Sequence, residues 1–233
     1  AAACLACAFA AQAAPVTVPV GGSFTGMDPA GSGQVTTVSL VGGSGSWELP
    51  NGGWMEGMQG RDLGGLVGAL NVSNLKLVAV GEPGPTEQIS MEYAYGDLIR
   101  TGIQVPTKVA SVGIDDVTGK ITSVSNSGAM QFSGTRIVGV LTGGTATVSN
   151  LRFDLANQTV VADLTGMKSA VGTRPSVNYS LPGTTFWTFA NVATETESIN
   201  STTFASTLTF SGLNITSEGF DFLKSSLGLG ATG

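Results

Sequence analysis

Residues 151–164 read LRFDLANQTVVADL, and this stretch decides the fold class. Leu151, Phe153 and Leu155 alternate with Arg152 and Asp154, Ala156-Asn157 interrupts the run, and Val160, Ala162 and Leu164 resume the alternation. A period of two on both sides of a short turn predicts an antiparallel hairpin with one buried face. The register of such a hairpin is strongly specified, because a slip of one residue would carry Phe153 into water.

The same texture continues in both directions. Short runs rich in Val, Thr, Ile, Leu and Phe alternate with Gly, Asn, Ser, Asp and Pro at intervals of about 8 to 12 residues, the pattern of a sandwich or barrel. Strands are expected over 16–20, 35–41, 72–80, 89–95, 109–114, 120–125, 130–140, 145–155, 159–164, 184–190 and 203–215. The Asp115-Asp116-Val117-Thr118-Gly119-Lys120 stretch marks a second hairpin turn, since Gly119 tolerates a left-handed backbone. Asp115 and Asp116 also offer oxygen donors, but the further spaced acidic positions of a calcium loop are missing. In Phe186-Trp187-Thr188-Phe189, alternation pairs Phe186 with Thr188 and Trp187 with Phe189 on opposite faces, as in a strand covered on both sides. One helix is predicted, from Ser217 to Leu227 and closed by Gly228, with Phe220, Leu223 and Leu227 as its apolar stripe. The expected fold is therefore an all-β, antiparallel β-sandwich or barrel with one short C-terminal capping helix.

Composition narrows the chemistry. Charged residues make up 11% of the chain against about 25% in ordinary soluble domains, and glycine occurs 34 times, which disfavours a helix-rich enzyme. A net charge of −6 leaves no basic stripe for phosphate contacts, so nucleic acid is not expected as a partner. Histidine is absent, which removes imidazole bases and His-ligated metals. No catalytic, cofactor-binding or metal-ligating residue is assigned, and the expected function is non-enzymatic.

The opening AAACLACAFAAQA, residues 1–13, reads as a signal-peptide remnant with cleavage before Ala14, followed by one all-β domain over 14–233. An apolar run of this length is too short to cross a bilayer as a helix, so no transmembrane segment is expected. Cys4 and Cys7 both lie inside it, so the chain after Ala14 would hold its fold without disulfides. The expected location is secreted or at the cell surface, extracellular or periplasmic in a bacterium.

Two groups of residues stand out as contact candidates. Val16, Val18 and Val20 alternate in an apolar extended segment suited to strand addition between subunits. Residues 42–65 form the longest irregular region, and Trp47, Trp54, Met55 and Met58 within it make a possible ligand or contact loop. Self-association, or binding to other surface components, is the expected partnership.

With its exported, charge-poor, Gly/Ser/Thr-rich strands, the chain resembles bacterial surface, matrix and filament-forming β-proteins. The stretches TVSNLRFDLANQTVVADLTG and STLTFSGLNITSEGFDFL are also similar to HtaA-type haem-transport β-domains. The first resemblance implies an extracellular structural or adhesive protein that assembles by strand addition. The second implies haem binding, with the axial ligand from Tyr93, Tyr95 or Tyr179. The alternative function is an exported small-ligand-binding β-module, for a glycan or haem, with a cleft between sheets or the loop around Trp47 and Trp54 as its site.

Overall fold

A computed structural model describes residues 15–19, 23–27, 35–39, 44–48, 75–80, 88–94, 97–115, 120–139, 141–199 and 204–229. Fifteen strands and one helix occupy them. In chain order the strands are β1 (Pro15–Pro19), β2 (Ser23–Met27), β3 (Val35–Ser39), β4 (Ser44–Glu48), β5 (Lys76–Val80), β6 (Gln88–Ala94), β7 (Asp97–Asp115) and β8 (Ile121–Ser127). They continue with β9 (Ala129–Gly134), β10 (Gly144–Asp154), β11 (Thr159–Lys168), β12 (Val177–Thr188), β13 (Asn191–Ile199), β14 (Phe204–Ser211) and β15 (Asn214–Ile215). The helix, α1, spans Ser217–Leu227. All strand pairs are antiparallel, and the main sheet follows the order β1-β7-β8-β10-β11-β12-β15 without closing into a barrel.

The 151–164 hairpin forms with the anticipated face. Leu151, Phe153, Val160, Ala162 and Leu164 are all buried, and Phe153 stands opposite Val160. The turn is wider than the expected pair: Leu155–Gln158 form it, and the Asp154 carboxylate accepts the Asn157 N–H at 3.0 Å and its Nδ2 at 2.7 Å. This Asx-type bond offers the chain a local alternative to the ladder and so ends the strand.

The partner of β10 is broken into β8 and β9 at Gly128, whose φ of +106° suits only glycine. Across from this break β10 carries a bulge between Ser149 and Arg152, with Asn150 at φ 52°. Bulges bend and twist a strand locally, and beyond this point β8 pairs with β7 while β9 pairs with β5. The core fills the inner side of the bend, with Leu75, Leu77, Met130, Phe132, Ala146, Val148, Leu164 and Phe186. A smaller cluster, Val18, Val112 and Ile114, lies where β1 meets β7.

Helix α1 covers that inner face. Thr216 caps its start by accepting the Gly219 N–H at 3.0 Å, and the same hydroxyl donates to the Thr185 carbonyl at 2.6 Å, tying the helix to β12. Gly228, at φ 67°, closes the other end as the sequence indicated. The apolar stripe is rotated from the expected one. Phe222, Leu223 and Leu227 are buried with Gly219 and Ser226, whereas Phe220 is 52% exposed. The physical reason is close packing: Gly219 and Ser226 are the small residues that let the helix backbone approach the sheet at Phe186 and Gly166, and this places Phe220 outside.

Three further expectations are corrected. Trp47 does not belong to a loop; it lies on β4, in register with Val105 of β7. The strand expected over 109–114 is part of a 19-residue strand, since Gly102 and Pro106 stay within β7. Phe186 and Trp187 are not on opposite, separately covered faces in simple alternation: a register shift between Val160 and Val161 lets both bury, their rings 4.5 Å apart and nearly edge-to-face.

Candidate functional site

Among the described residues, strand β12 is the edge of the sheet over most of its length. It pairs with β11 along one side, from Val177 opposite Lys168 to Thr188 opposite Thr159. On its other side β15 reaches only Trp187 and Thr188, and among the described residues no strand pairs with Val177–Leu181 there. Period-two alternation places Val177, Tyr179 and Leu181 toward the core face, opposite Lys168, Gly166 and Leu164. Tyr179 and Leu181 touch the core but stay half-buried, and Val177 is 40% exposed. Asn178 and Ser180 point to the outer face and are exposed. The core is thus left partly open along this edge, and no residue of β12 carries a charge.

What shapes the edge is one carboxylate. Asp163 of β11 accepts hydrogen bonds from the Gly183 N–H at 2.8 Å, Asn150 Nδ2 at 2.9 Å and an Arg152 guanidinium nitrogen at 3.2 Å. Asn150 sits in the bulge of β10, and Gly183 follows Pro182 in a second bulge, where β12 gains a residue against β11 between Ala162 and Leu164. Asp163 therefore pins irregularities in both neighbouring strands. The second bulge ends the regular edge just after Leu181, and Pro182 removes an N–H donor there.

The Asn150 side chain, then the Gly183 N–H, and to a smaller extent Arg152, hold the Asp163 carboxyl below its ordinary value of 3.8, while partial desolvation opposes them. The Asn157 bonds do the same for Asp154. A carboxyl that holds its proton less tightly when folded stabilises the fold above the ordinary carboxylate range. That stability is lost as pH falls through and below 3.8 toward the folded value. Asp163→Asn is expected to cost about 1 kcal/mol at neutral pH, given the exposure of the cluster, and to flatten the loss of stability between about pH 5 and pH 3. Urea unfolding at a series of pH values measures both effects; a variant with an unchanged acid limb contradicts the assignment.

The residues singled out from sequence are distributed rather than gathered. Val18 is 2% exposed and Val16 38% exposed on β1, which pairs with this chain's own β7, Val16 opposite Ile114 and Val18 opposite Val112. Val20, Trp54, Met55, Met58 and residues 1–13 lie outside the described residues, as do Tyr95 and Asp116. Tyr93 is on β6, and Tyr179 is on the β12 edge. Asp115 ends β7, its N–H donating to the Lys120 carbonyl at 2.9 Å, as a hairpin turn requires. Among the described residues no three of His, Cys, Asp and Glu stand close enough together to hold a metal ion. No described helix is long and apolar enough to cross a membrane.

No family model, curated protein or solved structure matches this chain.

Sequence reasoning passed over the 177–181 edge and the Asp163 pin. The signal for the edge was present in VNYSLPG, where three apolar residues alternate with Asn178 and Ser180 before Pro182-Gly183. The pin had no sequence signal, because Asn150, Asp163 and Gly183 meet only after three strands have paired.

Proposed function

We propose that the chain is a non-enzymatic structural or adhesive protein of the cell exterior, assembling with other copies or surface components by strand addition. The observation that carries this reading is the uncharged edge of β12, where among the described residues no strand pairs with the outer side of Val177–Leu181. Soluble proteins commonly guard such edges with Lys, inward-pointing charges or covering elements, and β12 has no charge to do so. Added strands gain affinity from main-chain bonding and specificity from alternate side-chain positions.

Strand β1 supports the same reading from the opposite end of the sheet. It is a five-residue strand bounded by Pro15 and Pro19, held to β7 through Val18. Exchange of so short an element between copies would reproduce the same contacts in trans, which makes swapping a low-cost route to assembly.

Size-exclusion chromatography and negative-stain microscopy of the purified chain test the proposal. Concentration-dependent oligomers or filaments are expected, and deletion of residues 14–20 is expected to shorten them to the species that β12 alone can hold together. A species that is strictly monomeric at high concentration, and unchanged by that deletion, rules out assembly.

A further inference from the structure

We infer that Val177–Leu181 of β12 is a two-fold contact at which a second copy of this chain adds its own Val177–Leu181 antiparallel, joining two sheets into one. The inference rests on the assembly reading above and names its partner and its register.

In an isologous strand pair each residue meets either itself or its symmetry mate. Centred on Tyr179, the pairing sets Tyr179 opposite the second Tyr179, and Val177 opposite the second Leu181, in both directions. All three lie on the core face, where Tyr179 and Leu181 are half-buried and Val177 is 40% exposed. A two-fold axis perpendicular to the sheet keeps the core faces of both copies on the same side. Each copy thus covers the apolar flank that the other leaves open. On the outer face Asn178 meets Ser180 of the second copy, a polar pair that is exposed on both sides. The segment is self-complementary on both faces.

Charge makes the same selection. Symmetry would place any ionic residue at the centre of the pair against its like, and like charges directly opposite destabilise a sheet. The strand contains none. Its extent is also set: Pro182 lacks an N–H, and the Gly183 bulge held by Asp163 turns the chain away, so the ladder stops after Leu181.

The test uses exposed positions, so that folding is preserved. Asn178→Lys with Ser180→Lys puts lysine against lysine twice across the axis. Asn178→Lys with Ser180→Glu puts lysine against glutamate twice, in the same strand and with the same bulk. Sedimentation velocity should show association weakened by about tenfold or more in the first variant and restored in the second, with circular dichroism unchanged in both. Association that withstands the double lysine, or that the Lys/Glu variant does not restore, overturns this pairing while leaving assembly through β1 intact. A wild-type chain that never associates overturns the assembly reading as well.

Discussion

Phe186→Ala lowers the stability of the chain by about 3–5 kcal/mol, the range for deleting a fully buried aromatic ring. Phe186 has no exposed surface, packs against Trp187 at 4.5 Å, and forms the floor on which the helix rests: a Cβ built on Gly219 would come within 2.8 Å of its ring. The loss is large because helix α1 and the sheet share this one side chain. The main chain at Phe186 also accepts the Thr216 N–H at 3.0 Å, so relaxation into the cavity would disturb the helix cap. Against a total stability of roughly 5–15 kcal/mol, such a change removes a substantial fraction. Phe220→Ala, on the helix that rests on Phe186, serves as the control. With Phe220 52% exposed, it is expected to stay within about 0.5 kcal/mol. Denaturant unfolding of the two variants, compared through their midpoints at unchanged slope, checks the difference. Equal losses would mean that the helix is seated on the stripe read from the sequence and not on the observed one.

Gly144→Ala is the second large expected effect, of about 3 kcal/mol. A Cβ at this position would fall on the carbonyl oxygens of Ser226 and Met167, both main-chain atoms that cannot rotate out of the way. One belongs to the last turn of α1 and the other to β11, so either the helix lifts from the sheet or the β10–β11 ladder opens. Both routes expose Leu223 and Leu227, which are at 3% and 1%. Gly172→Ala gives the comparison: its φ of +58° imposes backbone strain of about 1–2 kcal/mol, but no atom lies within 4 Å of the added carbon. Thermal unfolding should therefore rank Gly144→Ala well below Gly172→Ala, with loss of Trp187 burial visible in fluorescence only for the former. If the two melt alike, the close approach of helix and sheet at Gly144 is not a determinant of stability.

Much of this architecture is written locally. The apolar alternation of 151–164 places five side chains in the core without reference to the rest of the chain, because successive residues of a strand necessarily face opposite ways. The limits of α1 were also legible, from its start near Ser217 to Gly228, although the Thr216 cap that satisfies its first main-chain groups emerged only in the structure. The reading weakened wherever a bulge intervened. Phe186 and Trp187 bury together, and Asn150 adopts a positive φ, because an extra residue breaks the period of two. It failed also where a strand contains residues that usually end one, as with Gly102 and Pro106 inside β7. The candidate contact residues divide in the same way. Val18 was marked by its alternation, but whether it serves this chain's own β7 or another copy's was invisible until the register was known.

The amino-acid order alone determined that the chain is antiparallel and all-β, which face of the central hairpin is buried, where the helix begins and ends, and that charge would be scarce at any surface. These are properties of neighbouring residues, set by backbone geometry and side-chain solvation over a few positions. Only the tertiary structure decided which strands pair, that Asp163 ties two bulges together, that Phe220 faces water, and that no described strand pairs with the outer side of Val177–Leu181. Those outcomes depend on how residues far apart in the chain share one core, and the helix that fits closest to the sheet selects among phases that the local pattern leaves equal.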